Sequence, residues 1–297
     1  MVHLIDASVY VFRAYYSMPP DMQDADGNPV HAVYGFVRFL GDLLERAKPE
    51  YVAVAFDASL STSFRNRIYP PYKANRDPAP PDLALQFERC RQVCSHLGLA
   101  AFDSSEYEAD DIIGTLVHRL RDEGLRSTVV TRDKDLAQLL RPGDVYWDWA
   151  GNTRYHYHEI ADRFGVAPER YADYLALTGD AVDNIPGVPG VGPKTAAVLM
   201  QAFESLDQLY EGLATVATLK LRGAAQLGER LARHRDDAYL AQQLTRIHCS
   251  MPLPVDRHAL RRRAPDRAAL AQFYDQQGFG SMLRQQAERL ISAHVSS

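Results

Sequence analysis

Cysteine is scarce in this chain: three residues among 297, Cys90, Cys94 and Cys249. Three thiols cannot all pair within one chain, and a zinc site would need more ligands nearby. Cys90 and Cys94 stand four apart in "LALQFERCRQVCSHLGL". That spacing predicts small apolar side chains on one buried helix face in a reducing compartment. Long apolar runs are also missing. No stretch reaches 18 residues without charge, which argues against a membrane-spanning helix. The opening "MVHLIDASVYVFRAYYSMPPD" meets Asp6 and Arg13 too soon for a secretory signal. The expectation is a cytoplasmic protein with no membrane partner. Low-complexity tracts and internal repeats are absent as well. Nor is there an excess of positive charge: 33 Lys and Arg face 38 Asp and Glu, for a net charge of −5. Taken alone, that balance argues against a nucleic-acid partner.

Apolar residues make up 46% of the chain, enough for a globular core. "VHLIDAS", "YVAVAFDAS" and "RSTVVTRDKD" read as apolar strands running into acids, with "DVYWDW" as a further strand. "HAVYGFVRFLGDLLERAKPE", "PDLALQFERCRQVCSHLG" and "EADDIIGTLVHRLRDEG" carry helical spacing, the last two closed by Gly98 and Gly124. This alternation to about residue 150 predicts an α/β unit with a mostly parallel sheet. From "APERYADYLALTGD" onward the pattern is helical, and the end of the chain reads as a helical tail. The expected domains are 1–170 and 171–297.

Acids follow strands or open helices at separated points: Asp6, Asp57, the pair Asp133 and Asp135, and the group Glu108, Asp110 and Asp111. In open parallel sheets functional groups gather at the carboxyl ends of the strands, so these acids are expected to converge. Glu108 and Asp111, three apart, share a helix face. Asp133 and Asp135, two apart, point the same way if the segment is extended. Asp180 and Asp183 complete nine carboxylates. Crowded together they would repel and their pKa values would rise, and a hard divalent cation such as Mg²⁺ or Mn²⁺ removes that conflict. Each acid alone also fits a turn or helix-cap role.

Directly after Asp183 comes "VPGVGPKTA", a turn with Gly190 and Gly192 and then Pro193 at a helix start. Together with Gly187, Lys194 and Thr195 it forms a helix-hairpin-helix pattern over 185–203, suited to gripping duplex phosphates through backbone N–H groups. The spacing of a Walker A loop is absent. "SFRNRIYPPYKANR" interleaves Arg65, Arg67, Lys73 and Arg76 with Phe64, Tyr69 and Tyr72, a mixture suited to single-stranded nucleic acid. With the nine acids set aside around metal, the remainder of the chain is positive, so an acidic total is compatible with a polyanionic partner. On these residues alone other readings stay open: a metal-dependent ribonuclease, a DNA-binding module with structural acids, or a small-molecule phosphate-ester hydrolase.

"LIDAS", "FRAYY", "VAFDAS", "FRNRIYPPYKANR", "YEADDIIGTL", "TRDKDLAQLL" and "LTGDAVDNIPGVPGVGPKTAAVLM" occur in this order between residues 3 and 203. Together they resemble the 5′-nuclease (flap endonuclease) family, and most closely its 5′→3′ exonuclease domain at the start of bacterial DNA polymerase I. The resemblance implies a PIN-like α/β core with a helical arch over 60–85 and a C-terminal helix-hairpin-helix subdomain. It implies a metal-dependent enzyme cutting 5′ flaps, nicks and free 5′ ends, RNA-primed ends included, in primer removal and repair. It implies two or more Mg²⁺ or Mn²⁺ ions on the nine acids, Lys73 and Arg76 as catalytic cations, and DNA contacts from Arg13, Arg65 and Tyr72. It also implies K⁺ at the 185–192 turn, a DNA polymerase as partner and a monomeric enzyme. The block that usually reads "YRAYH" has Phe12 and Tyr16 at its ends here.

Overall fold

The computed structural model describes residues 1–58 and 62–295. In chain order the elements are β1 (Val2–Asp6), α1 (Ala7–Ser17), α2 (His31–Ala47), β2 (Tyr51–Asp57), α3 (Phe64–Ile68), α4 (Pro81–His96), β3 (Ala100–Ser104), α5 (Ala109–Asp122), β4 (Ser127–Val130), β5 (Val145–Asp148), β6 (Thr153–His156), α6 (Ile160–Phe164), α7 (Tyr171–Thr178), α8 (Pro193–Ala202), α9 (Leu206–Glu211), α10 (Leu213–Val216), α11 (Ala224–Arg233), α12 (Arg235–Thr245), α13 (Arg267–Gln276) and α14 (Ser281–Val295).

One six-stranded sheet runs β3-β2-β1-β4-β5-β6. Every pairing is parallel except β5 with β6. The expected mostly parallel sheet is therefore present. The sequence reading passed over β3 and β6, which are short and carry Asp103, Arg154 and His156 among their apolar residues. The central strands are buried on both faces, as parallel strands under helices are. Their alternation divides the core cleanly. Val52, Val54 and Phe56 of β2 face α1, α2 and α4, while Ala53 and Ala55 face α5. Cys90 and Cys94 of α4 are buried in the first of these layers, as their spacing predicted.

Helices α7 to α12 form a second core, from Tyr171 and Leu175 to Ala241 and Leu244. This helical body does not continue to the C-terminus. Ile247, Met251, Leu253 and Leu260 pack on α5, and Phe273, Leu283 and Leu290 of α13 and α14 join the layer around α2. Residues 247–295 thus return to the α/β body, which narrows the helical unit expected over 171–297. The expected arch region consists of α3, turns from Pro70 to Asn75 and the start of α4; Leu60 and Ser61 of that region lie outside the described residues, as do Ser296 and Ser297 of the tail. No helix among the described residues is long and apolar enough to cross a membrane.

The strand registers position the chemistry. Asp6 pairs beside Ala55, and Ile5 lies beside both Val54 and Val130. The carboxyl ends of β1, β2 and β4 therefore share one edge, where Asp6, Asp57 and the 131–135 segment emerge.

Candidate active site

Short hydrogen bonds hold the acids along this edge. The Thr131 hydroxyl donates to Asp6 Oδ2 at 2.7 Å, and the Asp133 N–H donates to Thr131 Oγ1 at 2.9 Å. Asp57 Oδ1 accepts the N–H of Ala109, the first residue of α5, at 2.8 Å. Glu108 caps α5, and Asp110 sits in its first turn. Asp133 is not in an extended run with Asp135, as the two-residue spacing suggested. It caps a 3-10 helix, Lys134–Leu139, and its Oδ1 accepts the Asp135 N–H at 2.8 Å.

A second segment joins them. The 71–75 turns dock on the loop 181–184: the Lys73 N–H donates to the Asp183 carbonyl at 2.9 Å, Asn75 Nδ2 to Ala181 O at 2.9 Å, and Asn184 Nδ2 to Pro71 O at 2.7 Å. Lys73 adopts a left-handed backbone, φ 56°, uncommon for a side chain of this size and typical of sites held by their surroundings. Its Nζ lies 2.8 Å from Glu108 Oε1 and 3.9 Å from Asp183 Oδ2. Arg76 pairs with the other oxygen of Asp183, and Lys134 lies 3.5 Å from Asp180.

The electrostatics follow from this crowding. Burial, with Asp57 beside it, pushes Asp6 up to about 8. Asp110 is raised by burial and by Glu108 and Asp111, Asp135 by burial and Asp133, and Asp133 by burial and Asp183. Burial would raise Glu108 too, but Lys73 and Arg65 outweigh it and hold the carboxyl ionised below its usual range. Burial disfavours the Lys73 ammonium, yet Glu108 and Asp183 keep it protonated.

Among the described residues, no three His, Cys, Asp or Glu side chains form a compact metal-ligand group. The expected single pocket of acids is corrected in this sense: they line one edge, with Lys73, Arg76 and Lys134 standing among them. The donor set still fits a hard divalent cation. It consists of carboxylate oxygens, burial and neighbouring acids raise the pKa values of Asp6, Asp110, Asp133 and Asp135, and the buried Asp135 Oδ1 has no hydrogen-bond partner.

Three assignments change. Asp111 is fully buried and paired with Arg65. Its oxygens accept from Arg65 Nη1 and Nη2 at 2.7 and 2.8 Å, from the Glu108 N–H at 3.0 Å and from the His248 N–H at 2.8 Å, which leaves little acceptor capacity for a metal. Arg65 is 1% exposed and also bonds the Leu244 and Arg246 carbonyls, so it cannot reach DNA. Tyr72 is 3% exposed and packs into the helical core, its hydroxyl 2.9 Å from Glu108 Oε2, so it is no platform for a base. A lone residue of the right type could not announce this: Arg65 meets its partners 46 and 179 residues away.

In the hairpin, Gly187 packs against the backbone of Thr178 and Gly179, where a Cβ would collide. Its missing side chain thus serves close packing of two segments. Gly192 faces open space and leads into α8, with Lys194 exposed and Thr195 half-buried. Gly190 has φ 77°, and Arg230 of α11 lays its guanidinium over it. Among the described residues Arg230 has no ion-pair partner. Sequence reasoning missed it because 40 residues separate it from the turn. Arg13 is exposed on α1 beside Arg38 and Trp149. Sequence reasoning also missed a cavity of about 770 Å³ beside Asp57, Lys73 and Arg76, walled by Phe12, Phe56 and Phe87. Phe12 meets Phe87 edge-on at 5.3 Å.

Residues 1–165 match the family described as "5'-3' exonuclease, N-terminal resolvase-like domain", and residues 166–268 match "5'-3' exonuclease, C-terminal SAM fold". Among curated relatives, DNA polymerase I of Rhizobium leguminosarum is 36% identical over 292 residues, covering 96% of this chain and 28% of that protein. The chain thus spans less than a third of that polymerase. The 5'-3' exonuclease of Buchnera aphidicola subsp. Acyrthosiphon pisum is 31% identical over 255 residues, covering 86% of this chain and 88% of that protein. The fold is similar to that of T5 5'-exonuclease with bound zinc, at TM-score 0.68 and 17% identity over 98% of both chains. It is similar also to the catalytic core of Rad2 in complex with DNA substrate, at TM-score 0.64 and 14% identity over 99% of this chain and 92% of that one. On the two matched family regions, which together run from residue 1 to 268, this chain belongs to the 5′–3′ exonuclease family.

Proposed function

We propose that this nuclease hydrolyses phosphodiester bonds at 5′ flaps, nicks and free 5′ ends of DNA, leaving 5′-phosphate and 3′-hydroxyl products, in primer removal and repair. The observation that carries this reading is the lodging of Lys73 and Arg76 among carboxylates at the strand ends. One edge then offers both oxygen ligands for divalent cations and fixed positive charge for a phosphate.

Asp6, Asp57, Glu108 and Asp110 would hold one divalent ion, Mg²⁺ or Mn²⁺, and Asp133, Asp135 and Asp183 a second, with Asp180 alongside. Two such ions supply an activated water and charge relief at the leaving oxygen. Lys73 and Arg76 stay protonated through the pH range of the reaction and bind the equatorial oxygens of the phosphate being cut. The apolar walls Phe12, Phe56 and Phe87 exclude water beside it. The hairpin at 187–195, with Arg230 over Gly190, grips duplex phosphates and so sets the distance from duplex to cut. Arg13 is proposed as a further phosphate contact. K⁺ at the 185–192 turn, RNA-primed substrates, a DNA polymerase partner, a monomeric state and a bacterial cytoplasmic setting are parts of the same proposal.

The test is a panel of 5′-labelled flap, nick, gap and overhang substrates, with Mg²⁺ and with EDTA. Mg²⁺-dependent cutting at the flap junction is expected. DNA binding without any cutting would instead favour a pure binding module.

A further inference from the structure

Thr131 follows the last residue of β4 and is fully buried. Its backbone N–H donates to the Trp147 carbonyl of β5 at 3.1 Å, so the sheet fixes where its side chain starts. The hydroxyl then serves two acids at once. It donates to Asp6 Oδ2 at 2.7 Å, across 125 residues of chain, and it accepts the Asp133 N–H at 2.9 Å. A hydroxyl has one proton to give and lone pairs to receive, so a single small side chain fills both roles. The β-branch of threonine stiffens χ1 and keeps the oxygen between its two partners.

The acids joined in this way have different places in the proposed chemistry. Asp6 ends β1 and belongs with Asp57, Glu108 and Asp110 to the first ion. Asp133 caps the 3-10 helix Lys134–Leu139 and belongs to the second. Asp133 Oδ1 accepts the Asp135 N–H in turn, so hydrogen bonds run without a break from Asp6 through Thr131 and Asp133 to Asp135. Carboxylates that hold a cation depend on such partners for their orientation, and losing one typically costs about 10–100-fold in affinity.

We propose, resting on the two-ion reading of the acid edge, that Thr131 is a positioning residue coupling the two divalent sites. It sets Asp6 for one ion and Asp133 for the other, so that neither site is fully formed without the hydroxyl.

The test uses the whole chain without DNA, stripped of metal with EDTA and then dialysed. Mn²⁺ binding is followed by titration calorimetry and by the paramagnetic resonance signal of the free ion. The parent is expected to take up two ions. Thr131→Val, which keeps the shape and removes the hydroxyl, should weaken both by about tenfold or more, and Thr131→Ser should stay within about threefold of the parent. Flap cleavage by Thr131→Val should need correspondingly more Mg²⁺ to reach half its maximal rate. Thr115→Val controls for a merely structural loss. Thr115 is equally buried, and its hydroxyl meets the His248 carbonyl at 3.5 Å and the Met251 N–H at 3.2 Å. That variant should melt at a lower temperature and bind Mn²⁺ as the parent does. Should Thr131→Val fail to fold, Thr131→Ala compared with Thr131→Ser isolates the hydroxyl in the same way. Equal Mn²⁺ affinity in the parent and in Thr131→Val, weakening of one ion alone, or Thr131→Ser as weak as Thr131→Val overturns the proposal and leaves the two-ion reading standing. A parent that takes up no Mn²⁺ overturns that reading, and the role of Thr131 with it.

Discussion

Lys73 and Glu108, 35 residues apart, are joined by an ion pair of 2.8 Å that ties the basic turns to the start of α5. The lysine is thereby held at the acidic edge, protonated, with its backbone anchored to Asp183. Lys73→Ala is predicted to lower the single-turnover cleavage rate by about 10²-fold or more, the usual scale for removing a preorganised charge at a reacting oxygen. Affinity for flap DNA should change far less. A single-turnover rate equal to the parent's would remove Lys73 from the chemistry.

The raised pKa values predict how metal and pH interact. Asp6 sits at about 8 in the folded protein, above its unfolded value, and Asp110, Asp133 and Asp135 shift the same way. The folded state therefore binds these protons more tightly, and the stability they contribute is lost as pH rises from the ordinary carboxylate range through about 8. Divalent binding requires the deprotonated acids. The rise in melting temperature on adding Mg²⁺ should accordingly be larger at pH 8 than at pH 5.5, and smaller in Asp135→Asn at both. Equal increments at the two pH values would count against these acids as ligands.

Arg65 and Asp111 are expected to behave as a structural pair. Either Arg65→Ala or Asp111→Ala strands a buried charge, so each should cost about 3–5 kcal/mol in urea denaturation. A double change to apolar residues should cost less than the sum of the two single changes. Were Arg65 a DNA contact, Arg65→Ala would weaken binding and leave stability untouched.

Arg230 is predicted to act on DNA and not on chemistry. Arg230→Gln should weaken duplex binding and reduce the slope of log affinity against log salt by about 1, the signature of one lost phosphate contact. Arg230→Lys should restore most of the slope. An unchanged slope would place Arg230 in hairpin packing alone.

Much of the fold was legible because its signals are local. Apolar runs ending in Asp6 and Asp57, helical spacing in α2 and α5, and Pro193 opening α8 are each readable within a few residues. The acidic edge was legible for one further reason: parallel strands share a direction, so residues after them share an edge. What misled was residue type without context. Arg65 and Tyr72 look like nucleic-acid contacts in "SFRNRIYPPYKANR", and Asp111 looks like a ligand beside Asp110. Neighbouring positions on α5 point in different directions, and Asp111 turns inward to Arg65.

By itself the sequence determined the alternating α/β core, the gathering of acids at the strand ends and the glycine turn after Asp183. Each follows from short-range steric and apolar patterns that hold wherever the segment is placed. Only the tertiary structure decided which charges face solvent and which are neutralised inside. It buried Arg65 against Asp111, hung Lys73 between Glu108 and Asp183, and laid Arg230 over Gly190. Those outcomes depend on electrostatic and packing contacts between segments tens of residues apart, and no local pattern encodes the distance between them.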